Sequence, residues 1–189
     1  MHKRLLFTMV LCAAPAFAQQ APMQPIPADD YFKKSLAINA VRKVSNVTLS
    51  DLPELMKDKN TVIIDVRGDA DYKAMHISGA KHLSLSDMKP DTLAKVIPST
   101  STRVILYCDA ALTPFPTRRV ALSTEAYPLV YMHGYTNLHE VSSLWGSDED
   151  YLHKQYEAYL ALPFDGDAAV IAADKELVKK CLASNGHCP

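Results

Sequence analysis

Thr61-Val62-Ile63-Ile64-Asp65-Val66 is the stretch whose reading decides the fold. It is a β-branched, nearly continuous apolar run, too short for a helix and without the alternation of a half-exposed strand. A strand of this kind needs cover on both faces, which a parallel sheet between helical layers supplies. Arg103-Val104-Ile105-Leu106-Tyr107 repeats the pattern and carries Cys108 at its carboxyl end. Shorter strands are predicted at Val47-Thr48-Leu49, at His82-Leu83-Ser84-Leu85 and over 136–141. Helices are predicted between them: 29–42 with Asp29 or Asp30 as cap, 50–57, 71–75, 91–96 and 114–133. The last contains Pro128, expected to kink or break it, and Gly134 stops it. Two more follow, over 148–160 and 168–184, with Asn185-Gly186 as a stop for the second. Strands alternating with helices predict an α/β fold with a five-stranded parallel sheet, right-handed crossovers and extra helices at both ends.

The rest of the chain sets the compartment. The 189 residues carry 20 Lys+Arg against 21 Asp+Glu, a balance that argues against a nucleic-acid or anionic-membrane partner. Residues 1–18 read as a cleavable signal peptide: Lys3 and Arg4, then a short apolar run, then Ala16-Phe17-Ala18. The mature protein is expected to begin near Gln19, soluble, in a bacterial periplasm or outside the cell. Residues 19–28, with Pro22, Pro25 and Pro27, read as a linker. The main domain is expected over 29–164 and a helical extension over 165–189.

Cys12 leaves with the signal, so three cysteines remain. Cys181 and Cys188 stand close together at the C-terminus, where an oxidising compartment would let them close a small loop. Cys108 is the odd thiol. Between a strand end and a helix start it is expected among unpaired amides and near a positive helix end, both of which favour thiolate. A buried, inert cysteine is the competing reading.

Three stretches together resemble the rhodanese family of single-domain sulfurtransferases. The first is Asp65-Val66-Arg67, then Asp71-Tyr72 and His76-Ile77-Ser78-Gly79-Ala80; the second is the strand ending Tyr107-Cys108. The third is Gly134-Tyr135-Thr136-Asn137-Leu138, followed by Leu144-Trp145. The resemblance implies that Cys108 takes a sulfane sulfur as a persulfide and passes it to a thiol or cyanide-like acceptor. It implies a cradle of backbone amides from Asp109, Ala110, Ala111, Leu112 and Thr113, with no cofactor and no metal. Asp65 and Arg67 are then bracing residues, and His76 and Gly79 shape a turn.

The loop departs from the family's C-x-x-G-x-R pattern. Cys108-Asp109-Ala110-Ala111-Leu112-Thr113 has neither glycine nor arginine, so Arg118 is the candidate replacement cation. Asp109 would oppose thiolate formation if it points inward. A phosphatase is excluded because Pro114 stands where that chemistry wants an arginine. A thiol–disulfide oxidoreductase lacks its close C-x-x-C pair. The alternative to catalysis is an inactive binding module in the periplasm, with a protein partner, that keeps the fold and has lost the cradle.

Overall fold

The computed structural model describes residues 27–112, 121–144 and 147–184. The first half of the chain runs α1 (Ala28–Val44), β1 (Asn46–Val47), α2 (Leu52–Leu55), β2 (Thr61–Asp65), α3 (Asp69–Ala74), β3 (Met75–Ile77), β4 (Lys81–His82) and α4 (Pro90–Val96). The second half runs β5 (Arg103–Tyr107), α5 (Asp109–Leu112), α6 (Leu122–Met132), β6 (Leu138–Val141), α7 (Glu149–Ala161), β7 (Phe164–Gly166) and α8 (Ala168–Ala183).

The two apolar runs are the centre of the sheet. β2 and β5 pair in parallel from Thr61↔Arg103 to Asp65↔Tyr107. The full order is β1-β6-β5-β2-β4, every pair parallel. The chain builds outward from β2 in one direction and from β5 in the other. The strand order therefore reverses between them, and the residues just past Asp65 and Tyr107 share the crevice where open α/β sheets place their ligands.

Side chains alternate across a strand, so β5 feeds two cores. Ile105 and Tyr107 face one layer with Leu52, Tyr156, Tyr159 and Val178 from α2, α7 and α8. Val104, Leu106 and Cys108 face the other with Ile38, Leu93, Tyr127 and Val130 from α1, α4 and α6. Burying side chains of this size stabilises the fold by roughly 1.5–3 kcal/mol each, which is why both faces are covered.

Several elements differ from expectation. The strand predicted over 82–85 ends at His82, because Ser84 turns to cap the short 3-10 turn Leu85–Asp87 and its hydroxyl bonds Asp87. α6 continues through Pro128 to Met132; proline there removes only one backbone donor, and its ring is buried. The stretch 113–120, where that helix was expected to begin, lies outside the described residues.

A small antiparallel sheet was not foreseen: β3 pairs with β7, Met75 opposite Gly166 and Ile77 opposite Phe164. Met75, expected at the end of a helix, is a strand residue here. Gly166 permits the approach, since a Cβ there would stand 2.4 Å from the Ala74 carbonyl oxygen, and φ is 134°.

Cys181 is buried and disulfide-bonded. Cys188 lies outside the described residues, as do the expected signal peptide and most of the expected linker. Among the described residues no helix is long and apolar enough to cross a membrane.

Candidate functional site

Strand parity and strand ends build two polar clusters at the carboxyl edge of the sheet, one per face. Asp65, the last residue of β2, is completely buried, and Arg67 folds back on it with guanidinium contacts at 2.7 Å, 3.0 Å and 3.1 Å. The Arg67 amide also donates to Asp65 (2.9 Å), and its guanidinium donates to the Met75 carbonyl (2.5 Å). Tyr107 donates its hydroxyl to Asp65 at 2.7 Å and accepts from the Ile77 amide at 3.1 Å. Burial, then the Asp65 charge, holds the Tyr107 phenol far above its ordinary range. Arg67 and Asp65 thus tie β2, β3 and β5 together.

His76 and Gly79 lie beside this brace. Tyr72 stacks between the rings of His76 (3.8 Å) and His82 (4.7 Å), and its hydroxyl donates to the Ala80 carbonyl. His76 Nδ1 bonds the Tyr72 carbonyl at 2.8 Å. Gly79 sits at φ 80°, the left-handed turn conformation that glycine enters without strain.

Cys108 occupies the opposite face. Its thiol is 1% exposed among the apolar side chains of the α1, α4 and α6 layer. Ser123 Oγ lies 3.3 Å from Sγ, and the amides of Ser123 and Ala110 also approach the sulfur. Burial nevertheless pushes the Cys108 thiol up, above its ordinary value; the Ser123 and Ala110 hydrogen bonds oppose the shift and the Asp109 charge adds to it. The expectation of a dipole-favoured thiolate is corrected here: desolvation outweighs the nearby donors.

The predicted cradle is also rearranged. Asp109–Leu112 winds into a single helical turn straight after the strand. The Ala111 amide is engaged by the Cys108 carbonyl at 3.1 Å, and Ala111 and Leu112 pack into the core on the other face. Of the predicted amides among the described residues, that of Ala110 approaches the sulfur, and the amide of Ser123 does so from the start of α6. Asp109 stands 3.5 Å from Arg67. Thr113 and Arg118 lie outside the described residues.

Sequence reasoning missed Ser123, Thr124, Glu140 and Arg42. Glu140 is 5% exposed on β6, between β1 and β5. It accepts from Ser123 (2.5 Å), Thr124 (3.0 Å) and Arg42 (2.5 Å). A lone acid inside Leu138-His139-Glu140-Val141 was the available signal, because a buried carboxylate requires partners. Beyond the ends of β2 and β4 lies a groove of about 490 Å³ lined by Val66, Arg67, Gly68, Ser84, Leu85, Ser86 and Leu122. Of its lining residues, Val66 belongs to the same buried cluster as Cys108, and Leu122 precedes Ser123 in the chain. Among the described residues no group of three His, Cys, Asp or Glu side chains is arranged to hold a metal ion.

A parallel sheet with a cysteine ending its central strand at the point of strand reversal defines a class of α/β proteins that present one thiol from a strand end. The model of the Rhodanese-like domain family matches residues 48–147, more than half of the chain, and the protein belongs to that family. The chain is similar to a rhodanese from E. coli, with 21% identity and a TM-score of 0.40, covering 57% of this chain and 99% of that one. It is similar to the Alr3790 protein from Anabaena sp., with 16% identity and a TM-score of 0.45, over 75% and 100% of the two chains. A thiosulfate sulfurtransferase from Pseudomonas aeruginosa is similar at 16% identity and a TM-score of 0.44, over 69% of this chain and 27% of that one. No curated protein matches the sequence.

Proposed function

We propose that the protein carries sulfane sulfur as a persulfide on Cys108 and transfers it to a thiophilic acceptor. The observation that carries this reading is the convergence of the Ser123 hydroxyl and the Ser123 and Ala110 amides on one sulfur at the end of the central strand. With thiosulfate as donor, the Cys108 sulfur attacks the outer sulfur, an S–S bond forms, and sulfite leaves. A thiolate or cyanide then takes the outer sulfur and returns Cys108. The groove past the ends of β2 and β4, with Ser84 and Ser86 on its wall, is the place this reading assigns to the donor. Residues 1–18, read as a leader, would direct this chemistry to the periplasm or outside the cell, and N-terminal sequencing of exported protein should begin near Gln19.

The test is turnover of thiosulfate and cyanide to thiocyanate, alongside intact-mass measurement for one extra sulfur atom. Activity is expected in the native protein and should vanish in Cys108→Ser. Turnover that survives the substitution would remove Cys108 from the reaction. A second reading, the non-catalytic binding module, is favoured by one observation: the thiol is buried and held neutral. Native protein that neither gains sulfur nor forms thiocyanate with any sulfane donor would decide for it.

A further inference from the structure

We propose that Ser123 and Glu140 form a proton relay for Cys108, with Ser123 as a catalytic residue and Glu140 as a positioning residue behind it. This rests on Cys108 being the sulfur nucleophile. The direction of the chain follows from counting protons. A carboxylate has none to give, so Ser123, Thr124 and Arg42 all donate to Glu140. Ser123 has one hydroxyl proton, and at 2.5 Å it is committed to Glu140 Oε1. Ser123 Oγ, 3.3 Å from the sulfur, therefore has a lone pair for the thiol while its proton stays directed at Glu140, and can donate that proton to the sulfur once the sulfur is ionised.

The chain is a path, not only a clamp. Arg42 holds Oε2 of the carboxylate, which leaves Oε1 turned to Ser123. As Cys108 bonds to the sulfane sulfur of thiosulfate and sulfite departs, the thiol proton passes to Ser123 Oγ. The Ser123 proton passes to Oε1, and the Ser123 hydroxyl then donates back to the Cys108 sulfur. Charge and protons balance: a thiol and a carboxylate become an anionic persulfide and a carboxylic acid, with thiosulfate replaced by sulfite. The sulfur is almost wholly buried, so the nearest acceptors for its proton are protein groups and not bulk water. Among the described residues, the other charged groups around the sulfur are Asp109 on α5, facing Arg67, and Arg42 on α1, facing Glu140.

The experiment follows Cys108 alkylation by a small haloacetamide from pH 6 to pH 10 in native protein, Glu140→Gln, Ser123→Ala and Ser123→Thr. Relay transfer predicts a rate at pH 6–7 that falls about 100-fold in Glu140→Gln and Ser123→Ala. It predicts little change at the alkaline end, where the thiol ionises unaided, and rescue by Ser123→Thr, which restores a hydroxyl. A purely structural role would shift the rate alike at every pH. Profiles in both variants that match native protein, or that rise at low pH, overturn the relay. Ser123→Ala alone decides the matter if Glu140→Gln does not fold. Alkylation needs no sulfur donor, so the two ideas fail separately. An assisted profile without thiocyanate formation sinks the transferase reading, and thiocyanate formation with unchanged profiles sinks the relay.

Discussion

Two buried arginine–carboxylate pairs stand on opposite faces of one sheet, and they are built differently. Arg67 meets Asp65 through its side chain and its amide, and the same guanidinium reaches the Met75 carbonyl and Asp109. Tyr107 supplies another donor to the same carboxylate. The contacts there brace the end of β2 against β3, β5 and the start of α5. On the Cys108 face, Glu140 takes three donors, and one of them, Ser123, touches the thiol. The Asp65 pair closes on itself and the Glu140 pair ends on a reactive atom. The contrast teaches that a buried charge pair beside a site is not evidence of chemistry until its hydrogen bonds are followed to where they stop.

The contrast breaks first at Asp65. Asp65→Ala leaves the Arg67 guanidinium buried without its main partner, an arrangement that costs about 3–5 kcal/mol. Urea unfolding should show this loss. Folded Asp65→Ala protein should keep the native pH profile of Cys108 alkylation; a changed profile would mean that the brace and the thiol are coupled.

Arg42→Gln sharpens the other side. Arg42 is 17% exposed, and Glu140 keeps two hydroxyl donors without it, so the expected loss is smaller, about 1–3 kcal/mol. Thermal or urea unfolding of both variants side by side gives the order. A loss equal to that of Asp65→Ala would erase the distinction between the pairs.

The smallest effect concerns a third carboxylate, on the Arg67 face. Asp174 accepts the Tyr159 hydroxyl, and burial pushes its pKa above the ordinary 3.8, against the pull of that hydrogen bond. The folded state therefore holds this proton more tightly than the unfolded chain. Its contribution to stability is present in full below the unfolded pKa and is lost as pH rises through the folded pKa. Urea midpoints measured from pH 3 upward should show a shallower decline in Asp174→Asn than in the native protein, and equal slopes would contradict the assignment.

The strands that bear the site were legible because apolar runs are local signals. Thr61–Asp65 and Arg103–Tyr107 appear at the predicted places, and strand parity places Cys108 on the face opposite Tyr107. What surrounds Cys108 was not legible. Ser123, Glu140 and Arg42 come from three elements far apart in the chain, and no local pattern brings them to one sulfur. The depth of the thiol was equally hidden, since it depends on how α1 and α6 close over the sheet. The β3–β7 pairing depends on contacts of Met75 with Gly166, and only the finished fold exposes the reason for that glycine.

The two cores also bear on how the protein can be dissected. Residues 48–147 carry the family pattern, yet Tyr156, Tyr159 and Val178 cover one side of the sheet, and Ile38 and Arg42 pack against the other. A fragment trimmed to the family limits would leave Ile63, Ile105 and Tyr107 facing water and Glu140 short of its cation. Such a fragment should self-associate, so the smallest stable unit is set by the flanking helices and not by the recognisable motif.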